Sequence, residues 1–204
     1  MTAASRPLRG AVIGLGGIAR NAHIPGFSRG AAQGRFELVA TVDAAPGTQP
    51  LPGIPLFRTP DELTQVDGLD FVDICTPTSS HLPLTLWALK HGLHVICEKP
   101  VALSKAEAAK IAAAAKKAKR VVLPCHQYRY NPAWLQIKSW IDAGAIGRWH
   151  LAEFHVYRLM ADQGVSKDAT PWRAKGKASR GGVLLDHGTH LIYELMDVAG
   201  PPSS

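Results

Sequence analysis

The sequence lacks any apolar run of the length that a membrane-spanning helix needs, and it has few cysteines. The three cysteines are an odd number and form no Cys-x-x-Cys pair, which argues against a disulfide framework. The N-terminal Met1–Arg9 has no apolar core, so we expect no secretory signal there. These absences predict a cytoplasmic protein without membrane contact, with reduced thiols at Cys75, Cys97 and Cys125.

Acidic residues are fewer than basic ones, 16 against 23, which leaves a formal net charge of +7. Such an excess can indicate a nucleic-acid-binding surface. The basic residues are dispersed, however, and their densest group, at 116–120, ends an alanine-rich helical pattern, where cations complement the helix dipole. No nucleic-acid-binding motif accompanies this group, so we expect no nucleic-acid partner. Apolar residues make up 46% of the chain, which is enough for a folded core.

Short apolar runs alternate with helical patterns through residues 11–123. This alternation predicts an α/β fold, a doubly wound parallel Rossmann sheet with helices on both faces. Segment 44–60 is rich in proline and glycine and predicts a loop with little or no helix. The predicted strands are Ala11–Ile13, Leu38–Val42, Phe71–Cys75, Val95–Cys97 and Val121–Leu123, and the clearest predicted helices are Leu82–His91 and Lys105–Lys119.

A glycine-rich turn follows the first predicted strand and has the spacing Gly14-x-Gly16-x-x-Ala19. The first glycine allows a tight turn into a helix, and Gly16 lets the backbone approach a pyrophosphate without a Cβ in the way. The small Ala19 permits close packing of helix on strand. The helix N-terminus, with Gly17 and Ile18, supplies N–H groups to phosphate oxygens. The turn therefore predicts a dinucleotide site, with a purely structural turn as the alternative.

The second predicted strand ends in Asp43, the position at which an acidic side chain can accept hydrogen bonds from an adenine-ribose diol. A carboxylate there repels a 2′-phosphate, and Ala44, Ala45 and Pro46 add no cation to offset it. We therefore predict that the cofactor is NAD in preference to NADP.

The pattern changes after residue 123. We predict a Rossmann domain over residues 1–123 and an incomplete α+β domain over 124–204. The second domain is predicted to contain a helix at Ala133–Ala143, a half-exposed strand at Trp149–Tyr157, an irregular basic segment at Met160–Arg180 and a helix at Val183–Ala199.

Lys99 belongs to Glu98-Lys99-Pro100, directly after a predicted strand. Ligands of doubly wound sheets bind beyond the carboxyl ends of the strands, which would place Lys99 near the reacting end of a cofactor. A lysine there can stabilise an alkoxide or donate a proton. The alternative is a surface lysine that precedes a proline.

Asp186 and His190 are four residues apart and share one face of the last predicted helix. A histidine suits acid–base chemistry near neutral pH, and a carboxylate one turn away can fix its tautomer. One alternative is a simple helix ion pair. Another is a metal site that includes His187, but His187 points away from Asp186 on a helical wheel, so we expect no metal.

In order along the chain, these motifs resemble the glucose–fructose oxidoreductase/inositol dehydrogenase (Gfo/Idh/MocA) family. The glycine turn matches the family's nucleotide turn, and the most specific block runs from Thr76 to Pro100. The further matching motifs are Arg129-x-Asn131-Pro132, the turn Gly144-Ala145-Ile146-Gly147, Trp172-Arg173 and Gly181-Gly182-x-x-Leu185-Asp186-x-Gly188-x-His190.

The resemblance implies an oxidoreductase that transfers a hydride between a nicotinamide and a sugar, cyclitol or related polyol. Lys99 and His190 would flank the reacting carbon, with His190 taking the hydroxyl proton, Lys99 stabilising the alkoxide, and Asp186 supporting His190. The cofactor-binding positions that it implies are Gly14, Gly16, Gly17, Ile18, Ala19, Asp43, Thr76, Pro77, Thr78, His81, Glu98 and Lys99.

Members of this family usually continue for well over a hundred further residues, which build most of an open antiparallel sheet. From the sequence we therefore expect the strand Trp149–Tyr157 to have few neighbours and to pair with a second copy of the chain. A homo-oligomer through the second domain is the expected assembly. The rival interpretation is a truncated, non-catalytic dinucleotide-binding protein, and a metal-dependent hydrolase explains neither the glycine turn nor Glu98-Lys99-Pro100.

Overall fold

A six-stranded parallel sheet, β1 to β6, forms the centre of the computed structural model. The structure describes residues 6–155, 157 and 182–201, with 182–186 described by their backbone alone. The strands β1 to β6 are, in order, Leu8–Ile13, Phe36–Val42, Leu56–Phe57, Phe71–Ile74, His94–Cys97 and Val122–Pro124.

The strand order in the sheet is β3-β2-β1-β4-β5-β6. The chain starts at the centre with β1, builds outward through β2 and β3, and then crosses back to place β4, β5 and β6 on the other side. The direction of winding therefore reverses between β1 and β4, the place where doubly wound folds bind their ligands. The predicted Rossmann sheet is confirmed.

The central strands are buried on both faces of the sheet. All four residues of β4 are buried, as expected for a parallel strand covered by helices on both sides. The buried apolar residues form two separate clusters. The larger includes Ile13, Val72 and Leu89, and the smaller includes Val12, Ala19, Phe27 and Phe71.

The helix Lys105–Ala118 shows how the chain begins and ends a helix. The Ser104 hydroxyl accepts a hydrogen bond from the Glu107 N–H, and Lys119, with φ at +53°, ends the same helix. None of the helices in the described ranges is long and apolar enough to cross a membrane. The helices α1 to α5 are Ile24–Ala32, His81–Lys90, Lys105–Ala118, Pro132–Asp142 and Gly182–Ala199.

Two predictions about extended structure were wrong. The segment 44–60 is not all loop, because Leu56–Phe57 forms β3 and pairs with Thr41 and Val42 of β2. Conversely, residues 149–155, most of the predicted strand Trp149–Tyr157, form no strand. Alternating apolar residues make a strand only where a neighbouring strand accepts its backbone hydrogen bonds. Within the described residues this segment has no strand partner, and its pairing with a second copy of the chain stays a prediction.

Candidate functional site

Four connecting segments meet at the carboxyl edge of the sheet, because the strands that precede them are parallel and adjacent. Backbone hydrogen bonds continue past the strand ends and hold the segments together. The Gly14 N–H donates to Val42 O (2.8 Å), the Cys75 N–H to Ile13 O (2.8 Å), and the Glu98 N–H to Ile74 O (2.9 Å). The four segments at this edge are the glycine turn, the end of β2, Thr76–His81 and Glu98–Pro100.

The glycine turn has the conformation and the empty space that a dinucleotide needs. Gly14 has φ of +93°, and a Cβ there would lie 2.8 Å from Thr76 Cγ2, so only glycine fits. By contrast, a Cβ on Gly16 would meet no atom within 4 Å, which leaves open space above the turn. Ala19 is fully buried against the sheet, in the cluster of Val12 and Phe27.

The helix that follows the glycine turn opens with a π-helical segment, Ala19–His23, before it continues as α1. π-Helical turns are uncommon and often lie at functional sites. Gly17 and Ile18 directly precede this segment, and both are partly buried. The wide turn ends at His23, whose side chain enters the edge of the sheet.

Asp43 lies at the end of β2 and is held by the backbone around it. Its carboxylate accepts hydrogen bonds from the N–H groups of Leu15 (2.7 Å) and Ala45 (2.9 Å). Burial raises the pKa of Asp43, but these hydrogen bonds, with one from Thr48, outweigh burial and lower the pKa. The group is therefore ionised, and each oxygen keeps a lone pair for a ligand hydroxyl.

Two arginines that the sequence analysis missed lie near this carboxylate: Arg58 contacts Asp43 itself, and Arg20 contacts Leu15, whose N–H binds Asp43. Arg58 donates to the carbonyl oxygens of Asp43 (3.2 Å) and Ala45 (2.7 Å). Arg20 donates to Leu15 O (3.0 Å) and also to Gln49 O. Arg58 directly follows β3, so its position could not be found without that strand. Arg20 directly follows Ala19 of the glycine-turn motif, so the sequence could have indicated a cation near the turn.

The segment after β4 is fixed by its own side chains and by a buried histidine. Ser80 Oγ donates to Thr76 Oγ1 (2.7 Å), while Thr78 is buried and Pro77 is exposed. The ring nitrogens of His81 lie 2.9 Å from Thr76 O and 2.9 Å from the carbonyl oxygen of Pro100. His81 therefore ties this segment to the one that carries Glu98 and Lys99.

Glu98 is part of a buried network that the sequence did not indicate. His23 Nδ1 lies 2.7 Å from Oδ2 of Asp73, and its Nε2 lies 2.9 Å from Oε1 of Glu98. Burial alone would lower the pKa of His23, but the hydrogen bonds to Asp73 and Glu98 raise it to about 10. At neutral pH a cationic imidazole therefore bridges two carboxylates.

A metal-like cluster includes part of this network. Ligand atoms of His23, Asp73 and Cys125 lie within 4.8 Å of one another. A metal would have to displace protons from His23, with its raised pKa, and from Cys125, whose thiol pKa is raised by burial and by Glu98. The cluster is therefore better explained as a protonated ion-pair network.

Lys99 is half-buried directly after Glu98, and its N–H donates to Oε2 of that residue (3.0 Å). His190 is buried on α5, with Nδ1 2.7 Å from the Tyr193 hydroxyl. Burial is the main reason that the pKa of Tyr193 is raised to about 12, so this hydroxyl stays protonated.

Helix α5 packs against the turn Gln127–Tyr130, which follows β6 at the same edge of the sheet. The Tyr128 N–H donates to the Tyr193 hydroxyl (3.2 Å), and the Tyr128 ring lies 4.5 Å from the ring of His190. Asp186 lies on α5, but its side chain and the segment 158–181 are outside the described residues. The pairing of Lys99 with His190 and Asp186 stays a prediction.

Comparisons with known proteins agree with this architecture. The profile of the oxidoreductase family with an NAD-binding Rossmann fold (Gfo/Idh/MocA) matches residues 8–126. The profile of the Gfo/Idh/MocA C-terminal domain matches residues 134–204.

Two curated relatives are examples of the proteins to which this chain is similar. D-glucoside 3-dehydrogenase from Escherichia coli K12 is 27% identical in a match 206 residues long, which covers 98% of this chain and 56% of that protein. Myo-inositol 2-dehydrogenase from Thermotoga maritima is 28% identical over 134 residues, covering 66% of this chain and 37% of that protein. The chain spans about half the length of such relatives, or less.

Solved structures share the fold. An NAD-binding protein from Listeria innocua superposes with a TM-score of 0.71 at 25% identity, over 95% of this chain and 55% of that one. The WlbA dehydrogenase from Chromobacterium violaceum, solved with NADH and UDP-GlcNAcA, gives a TM-score of 0.62 at 27% identity, over 71% and 42% of the two chains.

Proposed function

This chain belongs to the Gfo/Idh/MocA oxidoreductase family, and we propose that its protein is a nicotinamide-dependent dehydrogenase acting on a CH–OH group of a sugar, cyclitol or related polyol. Two of its relatives are named for a glucoside and for myo-inositol, which supports this substrate class. We propose this small molecule as the substrate, with no nucleic-acid or membrane partner.

The observation that carries the proposal is the open cradle at the switch point of the sheet. The space over Gly16 is open, and the ionised Asp43 directly follows the neighbouring strand β2. The Thr76–Thr78 segment follows β4, and Glu98 follows β5. The nicotinamide half of an extended dinucleotide would reach this side of the sheet. The residues present therefore suit a dinucleotide.

The chemistry follows from the groups around this cradle. When bound, the nicotinamide supplies the hydride acceptor for alcohol oxidation, or the donor for the reverse reaction. We assign His190 to take the hydroxyl proton as the carbinol carbon loses its hydride, and Lys99 to stabilise the negative charge that develops on the oxygen. Asp186 is assigned to support His190.

We further propose that NAD is preferred to NADP and that the protein works in the cytoplasm. The negative charge of Asp43 would repel a 2′-phosphate, and both nearby arginines already donate to backbone carbonyls. The thiols support a reducing compartment, since all three are free, with Cys75 and Cys97 buried and Cys125 partly so.

The test is to measure NAD and NADH binding by calorimetry with the Gly16→Val variant. We expect Gly16→Val to fold as stably as the wild type, because its side chain meets open space, yet to lose at least about tenfold in affinity, because it occupies the pyrophosphate position. Gly26→Val is the matched control, since Gly26 also has open space but lies in α1. Undiminished binding by Gly16→Val would refute the cradle.

A further inference from the structure

The imidazole of His23 joins three separate parts of the cofactor edge. His23 ends the π-helical segment that follows the glycine turn, Asp73 lies in β4, and Glu98 follows β5. The two ring nitrogens lie 2.7 Å and 2.9 Å from the carboxylate oxygens of Asp73 and Glu98. One side chain thus connects the phosphate-binding turn with the predicted nicotinamide half of the site.

Both ring nitrogens of His23 face carboxyl oxygens, so a ring that is protonated on both nitrogens donates one hydrogen bond to each group. The ring is consistent with a cation, since the two carboxylates raise its pKa to about 10 in spite of burial. Hydrogen bonds between charged partners are roughly twice as strong as neutral ones. His23 therefore constrains both carboxylates at neutral pH.

The consequence is clearest for Glu98, whose carboxylate is held from both sides. Its Oε1 faces His23, and its Oε2 accepts the Lys99 N–H at 3.0 Å. Each oxygen keeps a lone pair for one more donor, so the group is fixed in orientation but still able to receive ligand hydroxyls.

The network is also costly as a purely structural device. Asp73 is 1% exposed, and its Oδ1 is buried without a hydrogen-bond partner among the described residues. Buried ion pairs often add no more stability than apolar residues of similar volume. Stability alone therefore gives no reason to place two carboxylates and an imidazole beneath the cofactor edge.

We propose that His23 is a positioning residue of the cofactor site, which holds the Glu98 carboxylate in place to receive the ribose hydroxyls of the nicotinamide half. Asp73 orients His23 for this task. The proposal rests on the proposed function, because it takes the ligand of Glu98 to be a nicotinamide dinucleotide.

The experiment is a double-mutant cycle on NADH affinity with His23→Gln, Glu98→Gln and the double variant. We expect His23→Gln to weaken NADH binding about ten- to hundredfold, as expected for the loss of a hydrogen bond between charged groups. If His23 acts through Glu98, the same substitution in the Glu98→Gln protein will change affinity by less than about threefold. His150→Gln, on the exposed surface, is the control and is expected to bind as the wild type does.

A second measurement uses the wild-type protein, so it does not depend on whether a variant folds. In the ¹⁵N-histidine-labelled wild type we expect both His23 ring nitrogens to be protonated at pH 8 and the Nε2 resonance to shift when NADH is added. A neutral ring, an unmoved resonance, or a folded His23→Gln protein with full affinity would overturn the positioning role alone. A wild type that binds neither NAD nor NADH would overturn the proposed function and the positioning role together.

Discussion

At the scale of single residues, Asp43 is the group on which the choice of cofactor depends. It is ionised and held by two backbone N–H groups, so its charge stays where a 2′-phosphate would approach. We predict that Asp43→Ser removes this repulsion and leaves Arg20 and Arg58 as nearby cations. The affinity for NADP should rise at least about tenfold relative to that for NAD.

Calorimetric titration with both cofactors measures this change, and Asp67→Ser, at an exposed acidic position, is the control. A wild type that binds NADP as tightly as NAD would contradict the argument. It would mean that Arg20 or Arg58 leaves its carbonyl partner to bind the phosphate.

At the scale of elements, Asp197 is one of the residues that attach helix α5 to the rest of the chain. Its carboxylate accepts from Arg129 and from the Trp134 Nε1–H (3.2 Å), while Lys138 Nζ donates to its carbonyl oxygen (3.4 Å). We predict that Asp197→Ala lowers the free energy of unfolding by about 1–2 kcal/mol, measured by urea denaturation.

Asp142→Ala is the matched control, because its ion pair with Lys138 is exposed and should contribute less than about 0.5 kcal/mol. Burial raises the pKa of Asp197, but Trp134 and Arg129 outweigh it and hold the pKa below the ordinary 3.8. The contribution of Asp197 is therefore present above pH 3.8 and is lost as the pH falls through the lower folded value. A difference between wild type and Asp197→Ala that grew in acid would contradict this account.

The elements also show what the sequence could and could not predict. Buried parallel strands such as Phe71–Ile74 are short and, apart from Asp73, apolar, so the sequence predicts their type. The strand Leu56–Phe57 exists because β2 offers it partners, and residues 149–155 resemble a strand without forming one. His23 was missed because its partners lie 50 and 75 residues away, a distance over which no local pattern operates.

At the scale of the whole molecule, the proposed reaction needs groups from distant parts of the chain. Lys99 follows β5 of the Rossmann sheet, whereas His190 is carried by α5, which reaches the same edge through the turn Gln127–Tyr130. Positioned acid–base groups typically contribute about a hundred- to ten-thousandfold in rate. A displacement of about 1 Å can cost a hundredfold.

We therefore predict that Lys99→Ala and His190→Ala each lower kcat by about a hundred- to ten-thousandfold, while NAD affinity changes little, since neither group is assigned to the adenosine or pyrophosphate half. The assay follows NADH formation with a panel of sugars and cyclitols, and exposed Lys110→Ala is the control. If both variants turn over normally, the catalytic assignment is wrong. If they lose NAD binding and turnover together, the two residues serve the cofactor rather than the hydroxyl, and the proton acceptor must be sought elsewhere at this edge.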